Sequence, residues 1–249
     1  MSTEFKDHFS KQSSEYANYR PTYPKELFFF LSSLVSDKEI AWDCATGSGQ
    51  AALELANFFE TVIASDASAK QIESAQSKPN IQYHLFPAEK TTLADNSVHL
   101  VTVAQAIHWF DFEKFYLEVK RVLKPGGIIA VWGYGLHNIN PEIDFIVKNF
   151  YSQIVGSFWP KERIYIEQEY NTIPFPFILI PTPTFSMSLE WNLKDLLGYL
   201  RTWSSVQRYI DERKENPILL IEEELKPIWG NEEDKKKVSW PLYLKVGKN

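Results

Sequence analysis

Two glycines follow an acidic residue in the stretch Asp43-Cys-Ala-Thr-Gly-Ser-Gly-Gln. Gly47 and Gly49 permit a tight turn and let the backbone approach a ligand closely, because glycine has no Cβ. A helix predicted to begin near Gln50 would present unpaired N–H groups and the positive end of its dipole at the same point. Asp43 ends a predicted strand, where ligands bind in open α/β sheets. Taken alone, two such glycines are as typical of a simple turn as of a ligand-binding loop.

A second acidic residue, Asp66, follows the next apolar run. At the end of a second strand, such a carboxylate accepts hydrogen bonds from both ribose hydroxyls of an adenosyl ligand. The alternative is that Asp66 caps the following helix, but Ser68 with Gln71 three residues later already has the capping-box pattern. The glycine loop and Asp66 therefore predict an adenosyl-binding site.

The adenosyl ligand could belong to adenosylmethionine or to NAD on these two features alone. A dinucleotide-binding loop has the pattern G-x-G-x-x-G, and the third glycine is missing at that register. The spacing therefore favours adenosylmethionine, and an NAD-dependent oxidoreductase stays as an alternative. A non-catalytic adenosyl-binding regulator is a further alternative.

Short apolar runs alternate with amphipathic stretches up to residue 134, which is typical of a parallel sheet with helices on both faces. Strands are predicted over 40–45, 61–65, 81–85, 98–106 and 128–132, with helices over 50–59, from Ser68 and from Asp111. The pattern predicts an α/β fold, a Rossmann-like, seven-stranded, mostly parallel sheet with an antiparallel last strand and an inserted lid. Residues 36–134 form the predicted cofactor-binding half.

The pattern changes after residue 134. Residues 135–182 carry a helical stretch and then an aromatic, proline-rich segment, which we interpret as an inserted lid over the ligand cleft. Residues 183–249 contain two more predicted strands, 184–191 and 238–246, with helices between them, and the last strand is predicted to be an antiparallel edge strand. The chain 1–249 is therefore predicted to be a single domain.

Composition excludes several classes of protein. The net charge of −6 argues against a nucleic-acid binder, which needs a basic surface. No leader-like or membrane-spanning apolar run is visible, and the one cysteine, Cys44, fits a reducing cytoplasm. The five histidines are scattered, so no metal site is predicted.

The stretch 41–52 resembles motif I of class I S-adenosylmethionine-dependent methyltransferases, (D/E)-x-G-x-G-x-G. Asp43, Gly47 and Gly49 match this motif, whereas Ala45 stands where the first glycine is usual. The resemblance implies a methyltransferase with S-adenosylmethionine as its cofactor.

Further matches follow in order, so that the resemblance covers roughly residues 40–134. Asp66 matches the family's ribose-binding acid, and Gln105 matches the position beside the methionyl part of the ligand. Ala88 and Glu89 resemble the segment that contacts adenine.

A narrower resemblance is to type 11, trans-aconitate methyltransferase-like enzymes that act on small molecules, through residues 16–24, 106–111 and 200–204. It implies that residues 1–35 form an N-terminal helical cover, in which Tyr16, Tyr19 and Arg20 close the site. It also implies a small-molecule acceptor, a carboxylic acid among the candidates, and a monomer or homodimer. The predicted cofactor-binding residues are Asp43, Ala45, Gly47, Gly49, Asp66, Ala67, Ala88, Glu89, Gln105, Tyr16 and Arg20.

The acceptor side of the site is predicted from residue types. His108, just past the fourth strand, is the candidate general base, with a positional hydrogen bond as its alternative role. The candidate acceptor contacts are Trp109, Trp132 and Arg201. The tryptophans are candidates because aromatic faces can stabilise the cationic sulfonium of the cofactor next to the acceptor, and the arginine because it binds carboxylates. Further candidates, each with a core or surface role as its alternative, are Trp159, Trp203 and Arg208.

Overall fold

Five parallel strands form the first half of the sheet in this computed structural model, which describes residues 19–249. The strands are β1 (Ile40–Cys44), β2 (Thr61–Asp66), β3 (Ile81–Leu85), β4 (Val98–Ala104) and β5 (Leu123–Tyr134). The helices of this half are α1 (Lys25–Ser33), α2 (Gln50–Leu55), α3 (Ala69–Ser74) and α4 (Phe112–Val122).

The second half is mostly helical and adds three strands. Its helices are α5 (Pro141–Asn149), α6 (Arg163–Glu167), α7 (Leu193–Arg201), α8 (Ser204–Arg213) and α9 (Ile218–Trp229). Its strands are β6 (Ile178–Ile180), β7 (Phe185–Trp191) and β8 (Lys236–Lys248). Helix α5 continues into a π-helical turn over Phe150–Ile154.

The sheet has the order β3-β2-β1-β4-β5-β8-β6, and β7 also pairs with β8. Strand β8 is antiparallel to β5, β6 and β7, so the predicted Rossmann-like, mostly parallel sheet with an antiparallel last strand is confirmed. Two details differ from the prediction. The described sheet has eight strands rather than seven, because β6 lies within residues 135–182, where a lid was predicted; Pro181 and Pro183, which lack the N–H that a ladder needs, separate it from β7, the predicted sixth strand. Strand β8 lies inside the sheet rather than at its edge.

The strand order reverses beside β1, which pairs with β2 on one side and with β4 on the other. Ligands bind at the carboxyl ends of the strands at such a switch point. The fold therefore brings the residues that end or follow β1, β2 and β4 to one edge of the sheet. These include Asp43, Asp66 and Gln105.

Apolar side chains fill both faces of the sheet. One cluster joins the sheet to α1, α2, α7 and α9, and the other joins it to α4 and residues 166–173. Residues Val98–Val103 of β4 are all buried, as expected for a central parallel strand.

Two helix starts test the capping predictions. The Asp111 carboxylate accepts the Lys114 N–H at 3.2 Å and caps α4 as predicted. The Ser68 hydroxyl makes no capping bond at α3, so the capping-box prediction there is wrong. The carboxylate of Asp66 accepts the N–H of Ser68 itself at 2.9 Å, which fixes the residue before α3 but does not cap an N–H inside the helix.

Candidate active site

Asp43 lies buried near the end of β1 and is held by two hydroxyls. Thr46 in the glycine loop donates to one carboxylate oxygen at 2.6 Å, and Thr102 on β4 donates to the other at 2.8 Å. Burial raises the pKa of Asp43 to about 6, which the two hydroxyl bonds oppose. Asp43 therefore ties the loop after β1 to the neighbouring strand.

Asp66 ends β2 and contacts the same loop. One oxygen accepts the backbone N–H of Gly47 at 2.9 Å, and the other accepts that of Ser68 at 2.9 Å. Asp66 thus fits a role toward ribose hydroxyls while it also shapes the loop.

The backbone of the glycine loop has the left-handed conformation that a close ligand approach requires. Gly47 has φ 57° and Gly49 has φ 84°. A Cβ added at Gly47 would meet only Gln71 Oε1, at 3.8 Å, so the loop leaves open space beside it. Ala45, where the motif usually has glycine, also has a positive φ of 54°, which is uncommon for alanine. The loop therefore fits an adenosyl ligand laid across the strand ends.

Gln105 follows β4 and joins it to β5. Its side-chain amide donates to the Tyr134 carbonyl at 3.0 Å and accepts the Tyr134 N–H at 3.1 Å. The residue itself has φ 54°, a conformation that such a two-point contact can stabilise.

Residues 19–23, at the start of the described chain, contact α7 at one end and the start of α2, next to the glycine loop, at the other. The Tyr19 ring packs on α7 at Gly198, where a Cβ would overlap it. The Pro21 carbonyl accepts a hydrogen bond from the Gln50 side chain at 3.1 Å, and the Tyr23 ring meets Trp132 edge-on at 5.5 Å. Tyr16 lies outside the described residues, so its predicted role was not tested.

A cavity of about 90 Å³ opens beside Gln105. The N-terminal segment, the ends of β4 and β5, residues 159–166 and the α7–α8 junction enclose it. Its lining residues are Arg20, Gln105, His108, Trp109, Tyr134, Gly135, Trp159, Pro160, Arg163, Ile166, Tyr199, Thr202, Trp203 and Ser204. The predicted residues Arg20, Gln105, His108 and Trp109 thus come together, and so do Trp159 and Trp203.

His108 is buried at the wall of this cavity. Its Nδ1 is hydrogen-bonded to the hydroxyl of Tyr170 at 2.8 Å. Burial lowers the pKa of His108 to about 3, and the charge of Arg163 contributes in the same direction. The imidazole is therefore neutral near pH 7, and this pKa makes it a weak general base.

Arg163 and Tyr170 are site residues that the sequence reasoning missed. The Arg163 guanidinium lies over the Trp159 ring at 4.3 Å, and its Nε donates to the Tyr151 hydroxyl at 2.8 Å. The only local signal was an arginine four residues after a tryptophan in an aromatic stretch.

Two predicted acceptor contacts do not reach the cavity. Trp132 has no exposed surface, because it packs in the core against Tyr23 and Phe28. Arg201 is exposed on α7 and does not line the cavity, because that face of the helix points to solvent. Arg208, a weaker candidate, donates to the Phe158 carbonyl at 3.4 Å and is also outside the lining.

The segment assigned to adenine lies farther along the same edge. Ala88 is buried, and the Glu89 carboxylate accepts the Asp111 N–H at 3.0 Å at the start of α4. Ala67, the neighbour of Asp66, is exposed. None of these three lines the cavity.

Two searches of the described part of the chain were negative. Residues 19–249 contain no group of three metal-ligating side chains. Over the same range, every helix is too short or too polar to cross a membrane.

Comparison with known proteins agrees with this geometry. A family model described as a methyltransferase domain matches residues 42–131. A protein of Dictyostelium discoideum named as a methyltransferase is 36% identical, with 99% of this chain and 96% of that protein covered. An uncharacterized methyltransferase of Schizosaccharomyces pombe is 26% identical and is covered over 88% of each chain.

Solved structures show the same architecture. A protein from Anaeromyxobacter dehalogenans, described as a type II methyltransferase, superposes with a TM-score of 0.86 at 39% identity, over 92% of this chain and 98% of that one. A protein from Anabaena variabilis, described as a methyltransferase from an antibiotic biosynthesis pathway, shares the fold with a TM-score of 0.55 at 18% identity, over 90% and 98% of the two chains.

A glycine loop after β1 and a carboxylate at the end of β2, on this sheet, are typical of Rossmann-like proteins that bind an adenosyl ligand, and the relatives place the chain among the methyltransferases of this class. The chain belongs to the family that carries this methyltransferase domain. It is an enzyme whose methyl donor is S-adenosylmethionine, which sets aside the NAD-dependent oxidoreductase.

Proposed function

We propose that this enzyme methylates a small carboxylic acid bound in the cavity beside Gln105. The observation that carries the proposal is that two arginines, Arg20 and Arg163, line this cavity together with the neutral His108. Arginine is suited to carboxylates because its planar fork donates two parallel hydrogen bonds. The volume of about 90 Å³ suits a small molecule, since roughly 10–15 Å³ of this kind of volume is enough to hold one water.

Methyl transfer to a carboxylate needs no general base. S-Adenosylmethionine supplies a methyl carbon on a cationic sulfur: an oxygen–carbon bond forms, the carbon–sulfur bond breaks, and its electron pair stays on the sulfur of a neutral thioether. The protein has to align the acceptor and exclude water. With a pKa of about 3, His108 suits an orienting hydrogen bond rather than proton removal. A hydroxyl or amine acceptor would need a stronger base.

The cofactor contacts are part of the proposal. Gly47 would admit the methionyl part beside Gln105, and Asp66 would accept the ribose hydroxyls. Gly49 would border the ligand through its backbone alone, because a Cβ there would overlap the Tyr83 hydroxyl. Ala88 and Glu89 would border the adenine. The packing of Tyr19 on α7 and the Gln50–Pro21 bond support residues 1–35 as a cover, and the cavity contacts of residues 159–166 support 135–182 as a lid.

The acceptor class, the cellular compartment and the oligomeric state are further parts of the proposal. A net charge of −6 supports a small-molecule acceptor over a nucleic acid. The one cysteine, Cys44, is buried and unpaired, which fits the reducing cytoplasm. We propose a monomer or a homodimer.

The proposal is tested with radiolabelled methyl donor, the full-length enzyme, and either a panel of small acids or a metabolite extract. We expect a labelled product that mild alkali hydrolyses, because methyl esters are alkali-labile. A labelled product that resists alkali would contradict a carboxylate acceptor. Cofactor binding without transfer to any component of the extract would favour the non-catalytic regulator.

A further inference from the structure

The guanidinium of Arg163 is fixed at the cavity wall by two aromatic side chains. It lies 4.3 Å from the centre of the Trp159 ring and 5.3 Å from that of Tyr151. Its Nε donates to the Tyr151 hydroxyl at 2.8 Å, and that hydroxyl donates to Glu167 at 2.7 Å. A guanidinium held in this way loses little conformational freedom when it binds a ligand.

The charge of Arg163 has no counter-ion in the described part of the chain. No carboxylate between residues 19 and 249 forms an ion pair with it. Glu167, the acid linked to it, makes its contact through the Tyr151 hydroxyl and not directly. The Nε is used, and the terminal nitrogens have no hydrogen-bond partner within residues 19–249.

A cation at a cavity wall without a counter-ion favours an anionic ligand, because the ligand restores the interactions lost with water. The orientation adds selectivity. With Nε directed at Tyr151 and the guanidinium stacked on Trp159, the terminal nitrogens are the donors left for a planar, two-oxygen group. Lysine has three donors but no planar group to stack on Trp159, and its ammonium is a point charge rather than a fork of two parallel donors.

We propose that Arg163 determines acceptor specificity by binding an anionic, carboxylate-like group of the acceptor. This inference rests on the proposed function, since it requires the acceptor to occupy the cavity beside Gln105. Tyr151 is the positioning residue that fixes the guanidinium, and Trp159 supplies the surface on which it lies.

The test measures binding by calorimetry to the full-length enzyme saturated with adenosylhomocysteine. The probes are small mono-, di- and tricarboxylic acids, each paired with its neutral amide. We expect the wild type to prefer at least one acid over its amide. For that acid, Arg163→Gln should weaken binding about 10- to 100-fold, with amide binding unchanged. The acid affinity of Arg163→Lys should lie between that of the wild type and that of Arg163→Gln.

Tyr151→Phe keeps the ring and removes only the hydroxyl that accepts from Nε, so it should weaken acid binding several-fold. Arg213→Gln, at the exposed end of α8, is the matched control and should bind acid as the wild type does. In steady-state kinetics, the KM for the acid should be higher in Arg163→Gln and Tyr151→Phe than in the wild type, with kcat changed less.

Two results would overturn the inference: equal acid affinity in the wild type and in Arg163→Gln, or no preference for any acid over its amide. Failure of the proposed function would look different, because the wild type would then bind adenosylhomocysteine and transfer no methyl group to a small molecule. Adenosylhomocysteine affinity should be the same in all the variants.

Discussion

The carboxylate of Asp66 accepts the backbone N–H of Gly47 at 2.9 Å and thereby joins the end of β2 to the loop that follows β1. The acid proposed to bind the ribose therefore also shapes the loop beside it. Loop and ligand should be energetically coupled, so a change at residue 66 should affect both stability and affinity.

Replacing Asp66 with alanine should weaken adenosylhomocysteine binding by roughly 1–3 kcal/mol, because ribose hydroxyls lose their acceptor. Asp66→Asn should lose less, since one acceptor oxygen remains. Calorimetry measures both. Asn140→Ala is a matched control, because Asn140 also accepts a backbone N–H, at 2.9 Å, but at the start of α5. Unchanged affinity in folded Asp66→Ala would remove Asp66 from the ligand site.

A methyl group at residue 198 should displace the N-terminal segment, because a Cβ on Gly198 would overlap the Tyr19 ring. Gly198→Ala should therefore reduce the free energy of unfolding by about 1–3 kcal/mol. In a Tyr19→Ala background the same change should stabilise α7 by up to about 1 kcal/mol, since alanine favours a helix. A double-mutant cycle by denaturant unfolding measures this coupling. Equal effects of Gly198→Ala in both backgrounds would contradict the packing.

The pH dependence of catalysis should not report His108. Its pKa is lowered to about 3 by burial, so the ring stays neutral from pH 5 to 8. We expect His108→Gln to lower kcat/KM while it leaves the shape of the pH–rate profile unchanged. An inflection near pH 6 that persists in this variant would come from Asp43, whose pKa is about 6. An inflection that is present in the wild type and absent from His108→Gln would identify His108 as the general base.

Acid should destabilise the protein through His137. Both ring nitrogens are buried without a hydrogen-bond partner in residues 19–249, and burial lowers the pKa to about 4. A histidine with a lowered folded-state pKa stabilises the fold above about pH 6.5, and this contribution is lost as the pH falls. Between pH 7.5 and 5 the loss is about 2 kcal/mol.

His137→Phe should remove this pH-dependent loss of unfolding free energy, because phenylalanine, unlike histidine, takes up no proton on unfolding. Denaturant unfolding of both proteins at the two pH values measures it. The difference between them isolates His137, since Asp43 and His108 are present in both proteins and contribute equally to the pH dependence. Identical pH dependence in wild type and variant would show that His137 is not the acid-sensitive group.

The cofactor side of the site follows closely from the sequence, because each of its parts is local. A strand, a glycine loop and a helix are adjacent in the chain around Gly47, and Asp66 ends the next strand. Parallel strands then bring such ends to one edge. The left-handed backbone of Gln105 carried no sequence signal, since it depends on the contact with Tyr134.

The acceptor side could be predicted only in part. His108 and Trp109 directly follow a strand that was recognised, whereas Arg163 comes from a segment without regular periodicity. Helical spacing around residue 201 could not tell that Arg201 faces solvent. The apolar run of β5 could not tell that Trp132 is enclosed by Tyr23 and Phe28, which are distant in the chain. The division between β6 and β7 did have a signal, in Pro181 and Pro183.

Strand β8 comes after every other described strand in the chain, yet it lies between β5 on one side and both β6 and β7 on the other. Neither β6 nor β7 can join the sheet until β8 has inserted beside β5. Residues 159–166 and 199–204, which contribute to the wall of the cavity beside Gln105, precede β8 in the chain. Because β8 is the last strand in the described part of the chain, β6 and β7 can be added to the sheet only once that final segment is available.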